Sequence, residues 1–259
     1  KIRQYNGISG FLKIDESEYD TFGAGHASTS ISAALGIAHA RDKMNLDHQV
    51  VAVIGDGALT GGMAYEGLNN LGYHKTQLTV VLNDNSYSIS KSVGALSKYL
   101  TRIVINPTYN KLRKDLWNLT GKIPNISSTI KKIIRKTEGS IKAYLTPGIL
   151  FEELGLRYIG PIDGHDIENM VNIFNSIKKM NTPVLLHVHT DKSRSIDKKT
   201  KDAIKYYSLS GKNNSKNVPG QISFSKCLGE SLYTLAEKYD FECVTAAMGI
   251  GTGLEKYSN

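Results

Sequence analysis

Val50-Val51-Ala52-Val53-Ile54-Gly55-Asp56-Gly57 is the stretch that decides the fold. Its apolar part, β-branched at Val50, Val51, Val53 and Ile54, runs without a polar break and stops at Gly-Asp-Gly. A short run of this kind, bounded by turn residues, is the pattern of a strand buried on both faces, as in a parallel sheet covered by helices. Next comes Gly61–Tyr73 (GGMAYEGLNNLGY), which reads as a helix with a Gly-rich start, then Leu78–Asp84 (LTVVLND), a second buried strand. Strand, turn, helix and strand within about thirty-five residues make a βαβ unit, whose crossover is right-handed. Upstream, Ser28–Ala40 (STSISAALGIAHA) reads as a helix rich in small residues and opened by a Ser/Thr cap. The expected class is therefore α/β, with a doubly wound, mostly parallel sheet.

Further along, the pattern changes and then returns. Residues 91–150 are weak in strand signal, and Ile130–Leu145 (IKKIIRKTEGSIKAYL) reads as a cationic amphipathic helix. Within residues 151–190, Ile167, Met170, Val171, Phe174 and Ile177 keep a helical period, and Val184–Thr190 (VLLHVHT) is another buried strand. The polar stretch 208–221, which contains Pro219, reads as a linker. A helix from Phe224 to Lys238 and a strand from Glu242 to Ala246 are expected after it, the start of a further α/β domain.

Composition excludes several classes. With 259 residues, 40% hydrophobic and 22% charged, the chain can bury a sizeable core and is not a disordered segment. No stretch of 18 apolar residues occurs, so no membrane span is expected. Cys227 and Cys243 have no metal spacing, which argues against a zinc finger or disulfide scaffold and fits a reducing compartment. Ten Lys/Arg against two acids between Thr101 and Leu145 account for the whole net charge of +8, so the basic character is local and no nucleic-acid partner is expected. That block reads as a solvated helical face with its Ile/Leu side on the core. The chain opens on KIRQYNG with no initiator Met, so the natural start is expected to lie upstream.

Chemistry concentrates where the two strands end. Asp56 and Asn85 are 29 residues apart, each at the carboxyl end of an expected strand. Adjacent parallel strands bring such ends together at the edge where ligands bind. An Asp carboxylate and an Asn amide oxygen are hard donors suited to Mg²⁺, which completes its shell with substrate phosphates. Gly55 and Gly57 are expected to let the backbone turn tightly and approach a phosphate. His26 lies just before the small-residue helix, where an imidazole can hydrogen-bond a phosphate or a reacting oxygen; the alternative is a structural loop His. His165, in GPIDGHD, stands beside Gly164, which frees the backbone, and between Asp163 and Asp166, either of which can orient its ring; the alternative is a turn His capping the next helix. His187 and His189 alternate on a strand with no third ligand within reach, so they read as core or interface residues. Glu66 reads as a helix-face residue.

The pair of motifs resembles the thiamine-diphosphate signature, GDG followed about thirty residues later by Asn. The longer words GAGHASTSISAALGIAHARD, VAVIGDGALTGGMAYEGLNN, VVLNDNSYSIS with VGALS, LFEELGLRYIGPIDGHD and PVLLHVHT are similar, in order and spacing, to the 1-deoxy-D-xylulose-5-phosphate synthase family. The resemblance runs from about Ile2 to Leu254, where VTAAMGIGTGL is similar to the opening of that family's pyrimidine-binding domain. It implies a transferase that condenses pyruvate with glyceraldehyde 3-phosphate and releases CO₂, toward isoprenoid, thiamine and pyridoxal precursors. The implied cofactors are thiamine diphosphate and Mg²⁺, and the implied state is a homodimer in the bacterial cytoplasm or a plastid. It also implies a diphosphate- and Mg²⁺-binding domain over 1–215, with a basic helical insertion at about 91–150, the linker 208–221, and a truncated pyrimidine-binding domain from 222 to 259. Residue by residue, it implies Asp56, Asn85 and the main-chain carbonyl of Tyr87 as Mg²⁺ ligands. Gly25, His26, Ala27, Gly57, Ala58, Asn85 and the position of Ile196 are implied as cofactor contacts, with His26 and His165 as catalytic candidates. The glutamate that engages the cofactor's pyrimidine and the family's early histidines are expected outside the chain.

One segment departs from the family pattern. After PVLLHVHT the family reads T-x-K-G-[KR]-G-[YF], whereas this chain has Ser193 and Ser195 for the glycines and Ile196 for the aromatic. Further on, Tyr207 stands where the family carries His, and a phenol titrating near ~10 is no base at neutral pH. Two alternatives therefore stand beside the synthase: another transketolase-type enzyme, or a remnant that binds or regulates without turnover.

Overall fold

Val51–Gly55 and Thr79–Asp84 form side by side as strands β1 and β2, in parallel, with Ile54 opposite Leu82 and Gly55 opposite Asn83. They belong to a computed structural model that describes residues 5–85, 94–105, 148–191, 222–245, 248–254 and 257. The expected helix over 130–145 and the linker over 208–221 lie outside the described residues, as do Tyr87, Ile196 and Tyr207. The described chain divides into two compact units, one built from residues 24–85, 94–105 and 148–191, the other from 5–23 and 222–257.

The first unit is the α/β core. Its sheet has four parallel strands in the order β1-β2-β4-β3, where β3 is Arg157–Asp163 and β4 is Val184–His189. One face carries helix α1 (Ser30–Lys43), the short α2 (Asp56–Leu59), α3 (Gly62–His74), α4 (Ala95–Ile105) and α5 (Ile149–Glu153); the core there includes Ile31, Leu68, Leu82, Leu100, Phe151 and Leu185. On the opposite face, α6 (Ile167–Ile177) packs Met170, Ile173, Phe174 and Ile177 on Val81, Leu186 and Val188. Helices on both faces of a parallel sheet make the fold doubly wound, as expected.

The strand pattern follows position in the sheet. Central β2 and β4 are buried almost throughout, whereas edge strands β1 and β3 alternate. The apolar run at Val50–Gly55 reads as buried on both faces, yet Val51 and Val53 are 47% and 61% exposed. They sit on the α6 side at the sheet's edge, where no described residue of this unit covers them. Strand β3 is an addition: Gly160-Pro161 interrupts its apolar run, and Pro is tolerated there because β3 is an edge strand.

Two local expectations are corrected. Helix α1 begins at Ser30, and Thr29 at its N-cap makes no side-chain cap; its Oγ1 donates instead to the His26 carbonyl, 3.2 Å away. The turn expected at Gly55-Asp56-Gly57 is instead α2, with Asp56 as its first residue, and Gly55 has φ −80°, which any residue can adopt.

In the second unit, α7 (Phe224–Ala236) is capped by Ser223, whose Oγ accepts from the Lys226 amide at 3.2 Å. A short α8 (Gly249–Thr252) packs beside it, and Phe241 stacks on Tyr257. The strand expected over Glu242–Ala246 does not form at Glu242–Thr245: no partner strand is present among the described residues of this unit, and Val244 is fully solvated. No helix among the described residues is long and apolar enough to cross a membrane.

Candidate cofactor site at the carboxyl edge

The register of β1 on β2 places the two expected metal ligands. Gly55 pairs with Asn83, so Asp56 is the first residue beyond the paired end of β1, and Asn85 follows directly on Asp84, the last residue of β2. Both leave the sheet at the same edge. Asp56 is buried and Asn85 half-buried. Asp56 also heads α2, where a carboxylate meets the positive end of a helix.

The glycine–histidine loop is tied to this corner. Residues 24–29 lead into α1, with Gly25, His26 and Ala27 exposed. Ser28 adopts φ +69° and its Oγ donates to the carbonyl of Ala58 in α2, 2.6 Å away. This bond holds the His26 loop against Gly57-Ala58, so two stretches named as cofactor contacts meet. The contact is tight: a Cβ on Gly61 would stand 2.3 Å from Ser28 Oγ.

The residues fit a magnesium diphosphate group. The donor set, a carboxylate and an amide oxygen, suits a hard cation. A Cβ at Gly25 or Gly55 would meet nothing within 4 Å among the described residues. Helix α3 starts at Gly61-Gly62 without a side-chain cap, while the Gly61 and Ala64 amides donate to the carbonyls of Ala58 and Gly61. No group of three or more His, Cys, Asp or Glu side chains is placed to hold a metal among the described residues.

His165 stands elsewhere along the same edge. It follows β3, and the order β1-β2-β4-β3 puts three strand spacings, about 14 Å at ~4.8 Å each, between the ends of β1 and β3. Its Nε2 accepts the Asp191 amide at 2.8 Å, just past β4, and its own amide donates to Asp163 Oδ1 at 2.9 Å. With Nε2 accepting, the neutral ring carries its proton on Nδ1. Asp166 caps α6 through the Asn169 amide at 3.1 Å. Gly164 is needed for closeness: a Cβ there would lie 2.5 Å from Val188 Cγ1. Glu66 is exposed on α3, and His187 lies wholly in the core.

Some residues around the site escaped the sequence reading. Ser28 is one, because its contact lies 30 residues away in the chain. Thr190 is another: its amide donates to the Asp84 carbonyl and its Oγ1 to Asn83 Oδ1, both at 2.8 Å. Asp84, Tyr158 and His187 form a third group, joined by hydrogen bonds across three strands.

Comparison with known proteins gives the family. A sequence profile described as 1-deoxy-D-xylulose-5-phosphate synthase matches residues 1–190. The 1-deoxy-D-xylulose-5-phosphate synthase of Clostridium acetobutylicum is 45% identical over 262 residues, covering 99% of this chain and 42% of its own length. That of Caldanaerobacter subterraneus is 47% identical over 257 residues, covering 98% of this chain and 41% of the relative. A transketolase structure from Campylobacter jejuni superposes with a TM-score of 0.42 at 20% identity, over 65% of this chain and 20% of that one. The chain thus spans about two-fifths of the length of the relatives it matches. A profile covering most of the chain, and near half identity along almost all of it, place this chain in the 1-deoxy-D-xylulose-5-phosphate synthase family.

Proposed function

We propose that this chain is the diphosphate- and Mg²⁺-holding part of a homodimeric transferase that condenses pyruvate with glyceraldehyde 3-phosphate to 1-deoxy-D-xylulose 5-phosphate, with release of CO₂. The carrying observation is the β1–β2 register, which sets Asp56 and Asn85 at neighbouring strand ends. Family membership supports the substrates and thiamine diphosphate. In this reading, residues 1–215 hold the diphosphate and 222–259 begin the pyrimidine-binding domain.

Thiamine diphosphate, when bound, supplies a carbanion that adds to pyruvate and an electron sink for the charge left as CO₂ departs. Asp56 and Asn85, with the main-chain carbonyl of Tyr87, hold the Mg²⁺ that neutralises the diphosphate. Gly25, Ala27, Gly57 and Ala58 give it close backbone approach, and the family resemblance adds the position of Ile196 as a cofactor contact. His26, on the exposed loop held by Ser28, donates a hydrogen bond to a phosphate or reacting oxygen. His165 fixes the segment that leaves β4 at Asp191.

The test is calorimetric titration of thiamine diphosphate with and without Mg²⁺, on the wild-type chain and Asp56→Ala, followed by CO₂ release from pyruvate and glyceraldehyde 3-phosphate by the intact protein. Mg²⁺-dependent binding that Asp56→Ala abolishes supports the site. Binding without CO₂ release identifies a non-catalytic remnant, the reading that Ile196 and Tyr207 favour.

A further inference from the structure

Three strands contribute one side chain each to a buried hydrogen-bonded line. Tyr158 on β3 places its hydroxyl 2.7 Å from His187 Nδ1 on β4, and His187 Nε2 lies 3.1 Å from Asp84 Oδ2 on β2. His187 is 0% exposed, Asp84 3% and Tyr158 9%. The ring of Phe151 stacks on Tyr158 at 5.9 Å with an interplanar angle of 4°. Both bonds are made when the phenol donates to Nδ1 and Nε2–H donates to the carboxylate. No buried side-chain nitrogen or oxygen among the described residues lacks a partner.

Burying a carboxylate and an imidazole costs hydration that their mutual bonds only partly return, and apolar side chains of like volume commonly serve stability as well or better. What an apolar trio does not supply is direction. Asp84 is the last residue of β2, immediately before Asn85. Its carboxylate is held by His187, and its carbonyl and the side chain of Asn83 are held by Thr190. The strand end from which Asn85 departs is therefore anchored at side chain and main chain to β4, and through His187 to β3.

We propose that Tyr158, His187 and Asp84 are positioning residues, whose buried line sets where the Asn85 oxygen stands and so sets the affinity for the divalent cation. The proposal rests on the reading of Asn85 as a Mg²⁺ ligand, and the test separates the two. Outer partners that orient metal ligands typically change metal affinity by about 10- to 100-fold when removed. The experiment titrates Mg²⁺ at fixed thiamine diphosphate, following cofactor binding by calorimetry, in wild type, Tyr158→Phe, His187→Ala, His187→Gln and Asp56→Ala; thermal unfolding of each unliganded protein is measured alongside. The nitrogen shifts of His187, expected to show Nδ1 unprotonated, report its tautomer.

The expected result is a rise of about tenfold or more in half-saturating Mg²⁺ for Tyr158→Phe and His187→Ala, with partial recovery in His187→Gln, whose amide can still donate to Asp84. Tyr158→Phe is nearly isosteric, so it keeps the test open if His187→Ala does not fold. Unchanged Mg²⁺ dependence in Tyr158→Phe, beside loss of binding in Asp56→Ala, overturns the positioning proposal alone. Unchanged binding in Asp56→Ala overturns the site reading, and this proposal with it.

Discussion

Ser28 Oγ donates a 2.6 Å hydrogen bond to the Ala58 carbonyl, and it does so from a left-handed backbone at φ +69°. A non-glycine residue held there costs roughly 1–2 kcal/mol locally. The bond offsets part of that cost and joins the loop before α1 to the helix that starts at Asp56. The corner proposed to hold the diphosphate thus has its two stretches joined by one side chain.

Replacing Ser28 by Gly relieves the backbone and removes the bond. Loss of a neutral hydrogen bond costs about 0.5–1.5 kcal/mol, near what the relieved φ returns, so stability should hardly change. Affinity for thiamine diphosphate should fall, because the His26 loop is no longer tethered. Thermal unfolding paired with calorimetric titration checks this; an unchanged affinity would show that the loop is held by other contacts.

Gly61→Ala attacks the same contact from the other side. Its Cβ would stand 2.3 Å from Ser28 Oγ and 2.9 Å from Ser28 Cβ, too close to remain. Overpacking of this kind typically costs about 1–3 kcal/mol. In Ser28→Gly both clashing atoms are gone, so the double variant should be more stable than the sum of the single effects. A double-mutant cycle by denaturant unfolding measures that coupling, and strict additivity would contradict it.

Removing the metal should act only through the bound cofactor. At about 100-fold excess over its dissociation constant, a ligand adds roughly 2.7 kcal/mol to stability. Chelating Mg²⁺ from the protein saturated with thiamine diphosphate should therefore lower the unfolding midpoint toward that of the unliganded chain. Asp56→Ala should show the lower midpoint with or without Mg²⁺. A midpoint insensitive to chelation in wild type would contradict the Asp56–Asn85 site.

The parts legible in the sequence are those set by local pattern. Val50–Gly55 and Leu78–Asp84 declare themselves as strands by β-branched runs, and Asp56 and Asn85 by standing at their ends. Strand β3 is hidden because Gly160-Pro161 breaks its run, tolerable only at a sheet edge that the sequence does not mark. Glu242–Thr245 fails for the opposite reason: its propensity suits a strand, but pairing needs a neighbour. Ser28 is hidden because its role depends on a backbone angle and a partner 30 residues away. His187 is buried because β4 is a central strand covered on both faces, and its bonds to Asp84 and Tyr158 follow from the order β2-β4-β3.

That same order separates the two histidines named as catalytic candidates. His26 lies on the loop pinned beside Asp56, whereas His165 lies past the end of β3 with Nε2 engaged by the Asp191 amide. A group that only anchors a loop contributes about 1 kcal/mol, and a domain of this size then loses roughly 2–4 °C of its unfolding midpoint. A group that moves a proton in the reaction contributes about 10²- to 10⁴-fold in rate. His165→Ala should therefore lower the midpoint by a few degrees while the intact protein keeps turnover within about tenfold of wild type. His26→Ala should leave the midpoint nearly unchanged, since the ring is exposed, and should depress turnover by about 10²-fold or more. Steady-state rates and thermal unfolding on the two variants decide the matter, and the reverse pattern would exchange their roles.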